Sequence, residues 1–158
     1  MDNTVIYLFQ IIHNVLIHNS IFKCALHIAF LIPAYLPARD YGGPLSHIIL
    51  LGKHLIKKNH KVTIYTTNAK SINHFDNNLD SIEIIDNITV KRFPVKLGLK
   101  GYWISPSLYS ALAKDDFDIM HSHCMRCFQS DIAYFIAKKL KKPLIISPYG
   151  SLGTVPFS

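Results

Sequence analysis

The sequence predicts an open α/β domain: a Rossmann-like, doubly wound and mostly parallel sheet in a three-layer αβα arrangement. Three observations carry that expectation. Short, near-continuous apolar runs read as strands covered on both faces, and between them lie longer segments with apolar residues at helical spacing. A strand, a helix and a strand follow one another with short connections, and such a βαβ unit is almost always parallel and right-handed. Of 158 residues, 49% are apolar and only 17% charged, which excludes a disordered or collagen-like chain and fits one core-forming domain.

In chain order, residues 1–24 stand apart as an apolar extension ahead of a domain spanning 25–158. Gln10, His13, Asn14, His18 and Asn19 interrupt the extension, so it holds no clean run of about 20 apolar residues to span a bilayer. Asp2 stands where a secretory signal would be basic, and no small-x-small cleavage site follows. Val5, Leu8, Phe9, Ile12 and Leu16 recur at helical spacing. Two readings follow: an accessory helix, or a helix giving peripheral membrane contact through residues 5–22.

The domain opens with the apolar run Leu26 to Ile32, a strand that stops at Pro33. A loop with Pro37, Gly42, Gly43 and Pro44 leads into a helix marked by Leu45, Ile48, Ile49, Leu55 and Ile56. Pro44 suits a first helical turn, and Gly52 on the apolar stripe permits close approach of helix and sheet. Lys61 to Thr66 is the second strand. Residues 67–81 are polar and rich in asparagine, hence loop. Ile82–Ile85 and Ile88–Phe93 flank Asp86-Asn87, which tolerate positive φ, so a hairpin is expected. Ser105 can cap a helix running from Pro106 to about Lys114, with Tyr102 and Trp103 before it as packing residues. A strand over 118–123, a helix over 127–140 and a strand over 143–147 complete the pattern.

The net charge is +7 and the pI near 9.3. Eight of the cations form two clusters, Lys53, Lys57, Lys58, Lys61 and Lys138, Lys139, Lys141, Lys142. Both lie where helices should end, and there they offset the negative end of the helix dipole. No aromatics interleave with them as a single-strand groove would require, so nucleic acid is not the expected partner. Three cysteines make no disulfide framework, and an odd count fits a reducing, cytoplasmic setting.

Doubly wound sheets bind ligands at the carboxyl ends of their strands. Three such ends are chemically loaded: Asp40-Tyr-Gly-Gly-Pro44, His121-Ser-His123 and Ser147-Pro-Tyr-Gly-Ser151. Gly42 and Gly43 before a helix would let backbone approach an anion closely, although the spacing matches neither a dinucleotide fingerprint nor a Walker loop. His121 and His123 alternate along a strand and so share a face, where an imidazole can bond a sugar hydroxyl or carry a proton near neutral pH. His121-x-His123-Cys124-x-x-Cys127 also permits a zinc or a thioredoxin-like redox reading, but no second ligand knuckle accompanies it and Cys24 is isolated.

Four stretches in register now carry a resemblance. They are Ile28-Ala-Phe-Leu-Ile-Pro33 through Gly42-Gly-Pro44, Lys57-Lys-Asn-His60-Lys-Val-Thr-Ile-Tyr-Thr66, Phe117-Asp-Ile-Met-His-Ser-His123 and Lys142-Pro-Leu-Ile-Ile-Ser-Pro-Tyr-Gly150. Over residues 26–153 the chain resembles the N-terminal domain of the family-4 glycosyltransferases, retaining enzymes of the GT-B fold. Asn87-Ile-Thr-Val-Lys-Arg-Phe-Pro94 and Ser105-Pro-Ser-Leu108 are similar to a subgroup of that family.

The resemblance implies transfer of a sugar from a nucleotide-sugar donor to a glycan or lipid-linked acceptor, as in polysaccharide biosynthesis, with no cofactor or metal. It implies a catalytic position for His123 against the reacting sugar. Gly42, Gly43, His121, Tyr149, Gly150 and Ser151 would bind substrate. Tyr149-Gly150 stands where the family often has His-Gly. The family's donor-binding C-terminal domain has no counterpart in the sequence. The expectation is therefore an incomplete GT-B N-terminal half, inactive unless a C-terminal half joins it as a separate polypeptide. Two alternatives stay open: a non-enzymatic α/β module for a phosphorylated ligand or partner, and the Cys/His metal or redox protein.

Overall fold

The computed structural model describes residues 25–71, 74–99 and 101–149. Its central sheet has six strands in the spatial order β10 (Leu144–Ser147), β9 (Ile119–His123), β1 (His27–Leu31), β2 (Lys61–Thr67), β6 (Ile88–Phe93) and β5 (Ile82–Ile85). In chain order, β1 (His27–Leu31) leads through a short 3₁₀ turn at Arg39–Tyr41 into α1 (Gly43–Lys57) and then β2 (Lys61–Thr67). The hairpin β5 (Ile82–Ile85) and β6 (Ile88–Phe93) follows. After it come α2 (Pro106–Lys114), β9 (Ile119–His123), α3 (Phe128–Leu140) and β10 (Leu144–Ser147). Every pairing is parallel except β5 against β6.

The three layers follow from strand alternation. Ile28 and Phe30 of β1 face α1 and pack with Leu45, Ile48, Leu51 and Leu55, while Ala29 and Leu31 face α2 and α3, where Leu108, Leu112, Ala133 and Ile136 lie. A Cβ at Gly52 would come within 2.7 Å of Ile88 Cδ1, so the glycine does bring α1 down onto β6. The hairpin turns on Asp86 and Asn87 at φ 51° and 64°, the left-handed pair that a two-residue turn demands. Lys57 closes α1, Lys138 and Lys139 lie in the last turn of α3, and Lys141 caps it, as the dipole favours.

The structure corrects two expectations and adds one ribbon. Residues 67–81 are not all loop: β2 runs to Thr67, and β3 (Ala69–Ser71) pairs antiparallel with β4 (His74–Phe75). A second ribbon joins β7 (Leu97–Leu99) to β8 (Tyr102–Ile104). These strands are too short to display an alternation, and they gain their cover from Trp103, which meets Phe75 edge-on at 5.2 Å over Ala34, Ala38 and Ala69. Ser105 does precede α2, but its hydroxyl donates to the Pro94 carbonyl at 2.9 Å rather than to the helix. The 1–24 extension, Gly150 and Ser151 lie outside the described residues.

Candidate functional site

The chain runs from β1 outward through β2 to β6, then returns to the other side of β1 as β9. The carboxyl ends of β1 and β9 therefore part company, and this is the switch point where doubly wound sheets open a crevice.

On the β1 side, the loop ahead of α1 is fastened from below. The Thr67 hydroxyl donates to the Pro33 carbonyl at 2.7 Å. Arg92, whose side chain is 3% exposed, donates to the Leu36 carbonyl at 2.7 Å and to the Asp80 carbonyl at 3.2 Å, and pairs with Glu83 at 2.7 Å. Gly42 ends the loop at φ 77°, a left-handed conformation that favours glycine. A Cβ at Gly42 or Gly43 would meet nothing within 4 Å, and no side chain caps α1. The positive end of a 15-residue helix is thus presented by bare backbone.

On the β9 side, His121 and His123 do share a face, the one toward α1, with ring centroids 3.8 Å apart and the edge of the Phe30 ring against both. His121 Nε2 lies 2.8 Å from Ser147 Oγ on β10. His123 Nδ1 lies 2.8 Å from the Tyr149 hydroxyl, and the same hydroxyl lies 2.6 Å from Nδ1 of His47, one helical turn beyond Gly43 on α1. Burial, with His47 nearby, pushes His121 down to about 3. Burial, with His121 and His47, holds His123 well below the usual imidazole range. Both rings are therefore neutral hydrogen-bonding groups in this state, and proton carriage near pH 7 does not fit them. His121 Nδ1 and His123 Nε2 are buried without a hydrogen-bond partner among the described residues, as are Ser122 Oγ and both amide atoms of Gln129 on the β9–α3 side.

The cysteine motif has a different character. Cys124, at φ 120°, lies with its sulfur 3.7 Å from the Tyr41 hydroxyl, and burial pushes its thiol up to about 11. Burial raises Cys127 as well, at the start of α3 where its backbone N–H donates to Ser130 Oγ. Redox chemistry requires the opposite shift, toward thiolate. Among the described residues no group of three or more His, Cys, Asp or Glu side chains could hold a metal ion.

Of the residues expected from sequence, Gly42, Gly43, His121, His123 and Tyr149 come to one rim. His47 and Arg92 were missed. A signal existed for each: His47 follows Gly43 by one helical turn, and Arg92 occupies the inward phase of β6 with Ile88 and Val90.

The fold is thus a Rossmann-like α/β domain with a glycine-opened helix end and buried histidines at its switch point. The sequence matches the Glycosyltransferase Family 4 model over residues 41–156, and the chain belongs to that family, in its N-terminal domain. No curated protein gave a significant match. Among the described residues no helix is long and apolar enough to cross a membrane.

Proposed function

We propose that this domain, residues 25–158, is the acceptor-side half of a retaining sugar transfer from a nucleotide-sugar donor to a glycan or lipid-linked acceptor. The observation that carries the reading is His123 Nε2, a buried imidazole nitrogen with no partner among the described residues, on the rim that also presents the uncapped start of α1. A buried polar atom left unpaired costs about 1–3 kcal/mol, and a ligand hydroxyl relieves that cost. In this reading the backbone at Gly42 and Gly43 faces the donor diphosphate, whose oxygens suit a helix N-terminus. His123 contacts the reacting sugar, and His121, Tyr149, Gly150 and Ser151 are the further substrate-binding residues of this reading.

Departure of a nucleoside diphosphate needs charge neutralisation on both sides of the cleft. In this reading the second side belongs to a donor-binding domain, with which residues 25–158 act together. A nucleotide-sugar donor and unpaired thiols agree with a cytoplasmic location, and residues 5–22 would add peripheral membrane contact near a lipid-linked acceptor.

The test is sugar transfer by this chain complemented with a family-4 donor domain. His123→Ala should lower turnover by about 100-fold or more, the size usual for a group acting in the transition state, with an unchanged circular dichroism spectrum. Turnover by the 158-residue chain alone would overturn the two-domain requirement. Ligand binding indifferent to His123→Ala, without transfer, would favour a non-enzymatic binding module.

A further inference from the structure

We propose that His47 is a positioning residue: it donates its Nδ1–H to the Tyr149 oxygen, turns the phenol proton toward Nδ1 of His123, and so leaves His123 with its proton on Nε2, aimed at the ligand. The geometry is specific. One hydroxyl oxygen lies within hydrogen-bond distance of Nδ1 of two imidazoles, 2.6 Å from His47 and 2.8 Å from His123. A phenol carries a single proton, so at least one of the two rings must donate to it, and the tautomers of His47 and His123 are linked. A neutral imidazole with one nitrogen engaged has its hydrogen-bonding role at the other nitrogen decided by that engagement. The nitrogen so decided is His123 Nε2, fully buried and without a partner among the described residues.

The ring–ring geometry supports a coupled unit: the His47 and His123 centroids are 6.2 Å apart, and Tyr149 stacks on His123 at 6.0 Å with 26° between the planes. An Nε2–H donor suits an oxygen-rich ligand, whether its oxygen comes from a sugar hydroxyl or a phosphate. Tyr149 thereby acts on His123 in addition to any contact it makes with substrate.

The assignment of His123 Nε2 to a sugar rests on the proposed function, but the tautomer does not, so the two can fail separately. The experiment is nitrogen NMR of the full chain labelled with ¹⁵N-histidine and without ligand. In the native protein His123 should show one form, Nδ1 unprotonated and Nε2 protonated. Tyr149→Phe and His47→Leu should draw the two nitrogen shifts together as tautomers mix. His47→Asn, whose amide N–H reaches near the place of Nδ1–H, should keep the native pattern. A native His123 protonated on Nδ1 overturns the proposal, and so do native shifts in Tyr149→Phe or His47→Leu. Loss of the native pattern in His47→Asn overturns the donor role of His47. For the source of the oxygen, UDP-glucose and inorganic phosphate are titrated in turn: movement of Nε2 with either supports the aimed donor, and movement with neither overturns it.

Discussion

Two polar clusters sit on opposite faces of the same sheet, and they are built to opposite rules. On the α2 and α3 face, the Tyr65 hydroxyl donates to Asp115 at 2.7 Å, Lys91 pairs with the same carboxylate, and its ammonium lies 5.6 Å from the Tyr65 ring centroid. Burial pushes the Asp115 carboxyl up, but the hydrogen bonds from Lys91 and Tyr65 outweigh it and hold the group below its ordinary value. Every charge there has its partner. On the α1 face, His121 and His123 are more deeply buried, neutral, and each keeps one nitrogen unpaired among the described residues. Buried polar groups in folded proteins are overwhelmingly paired, so the satisfied cluster reads as scaffold, and the two unpaired histidine nitrogens are what the proposed function assigns to a ligand.

Acid separates the two clusters with the largest effect. His121 and His123 bind protons more readily unfolded than folded, so stability falls as pH drops below about 6.5, by about 1.4 kcal/mol per pH unit for each ring. Asp115 is shifted the other way, and its contribution is intact at that pH and lost only as pH falls below the usual carboxylate range. Urea unfolding at pH 7.0 and 5.0 should therefore show a steep loss that His121→Gln reduces. His123, together with His27 and His60, which burial also lowers, leaves a residual slope. An undiminished slope in His121→Gln would break the comparison.

Arg92 gives the next largest effect. It is a satisfied cation on the α1 side, and Arg92→Met buries an apolar chain in its place and removes its bonds to the half-buried Leu36 carbonyl, the Asp80 carbonyl and Glu83. The expected loss is about 2–3 kcal/mol of unfolding free energy. The smallest effect is a pair of hydroxyl deletions. Tyr65→Phe removes a bond to a carboxylate and should cost about 2 kcal/mol, whereas Tyr149→Phe removes bonds to imidazole nitrogens and should cost about 1 kcal/mol. Equal losses in thermal melts would remove the distinction between scaffold and site.

Much of the fold was legible because its signals are local. The strands of the parallel sheet are apolar runs, α1 and α3 show a 3.6-residue stripe, and Asp86-Asn87 announces its own turn. Placement of His121 and His123 on one face needs only the period of a strand. The ribbons β3–β4 and β7–β8 were not legible: with two or three residues a strand, nothing repeats, and Trp103 supplies the cover that makes them form. The Ser105 hydroxyl looked like a helix cap, yet Pro94 stands close enough in space to take it.

By itself, then, the sequence determined the alternation of elements, the glycine at the φ 77° turn and the pairing of the two histidines on one face, because each depends on residues adjacent along the chain. Only the tertiary structure decided that His47 meets Tyr149 across 102 positions, and that both histidines are neutral. Sheet order sets which strand ends become neighbours, and burial sets which protonation state an imidazole can hold; neither is a property of any short stretch of chain.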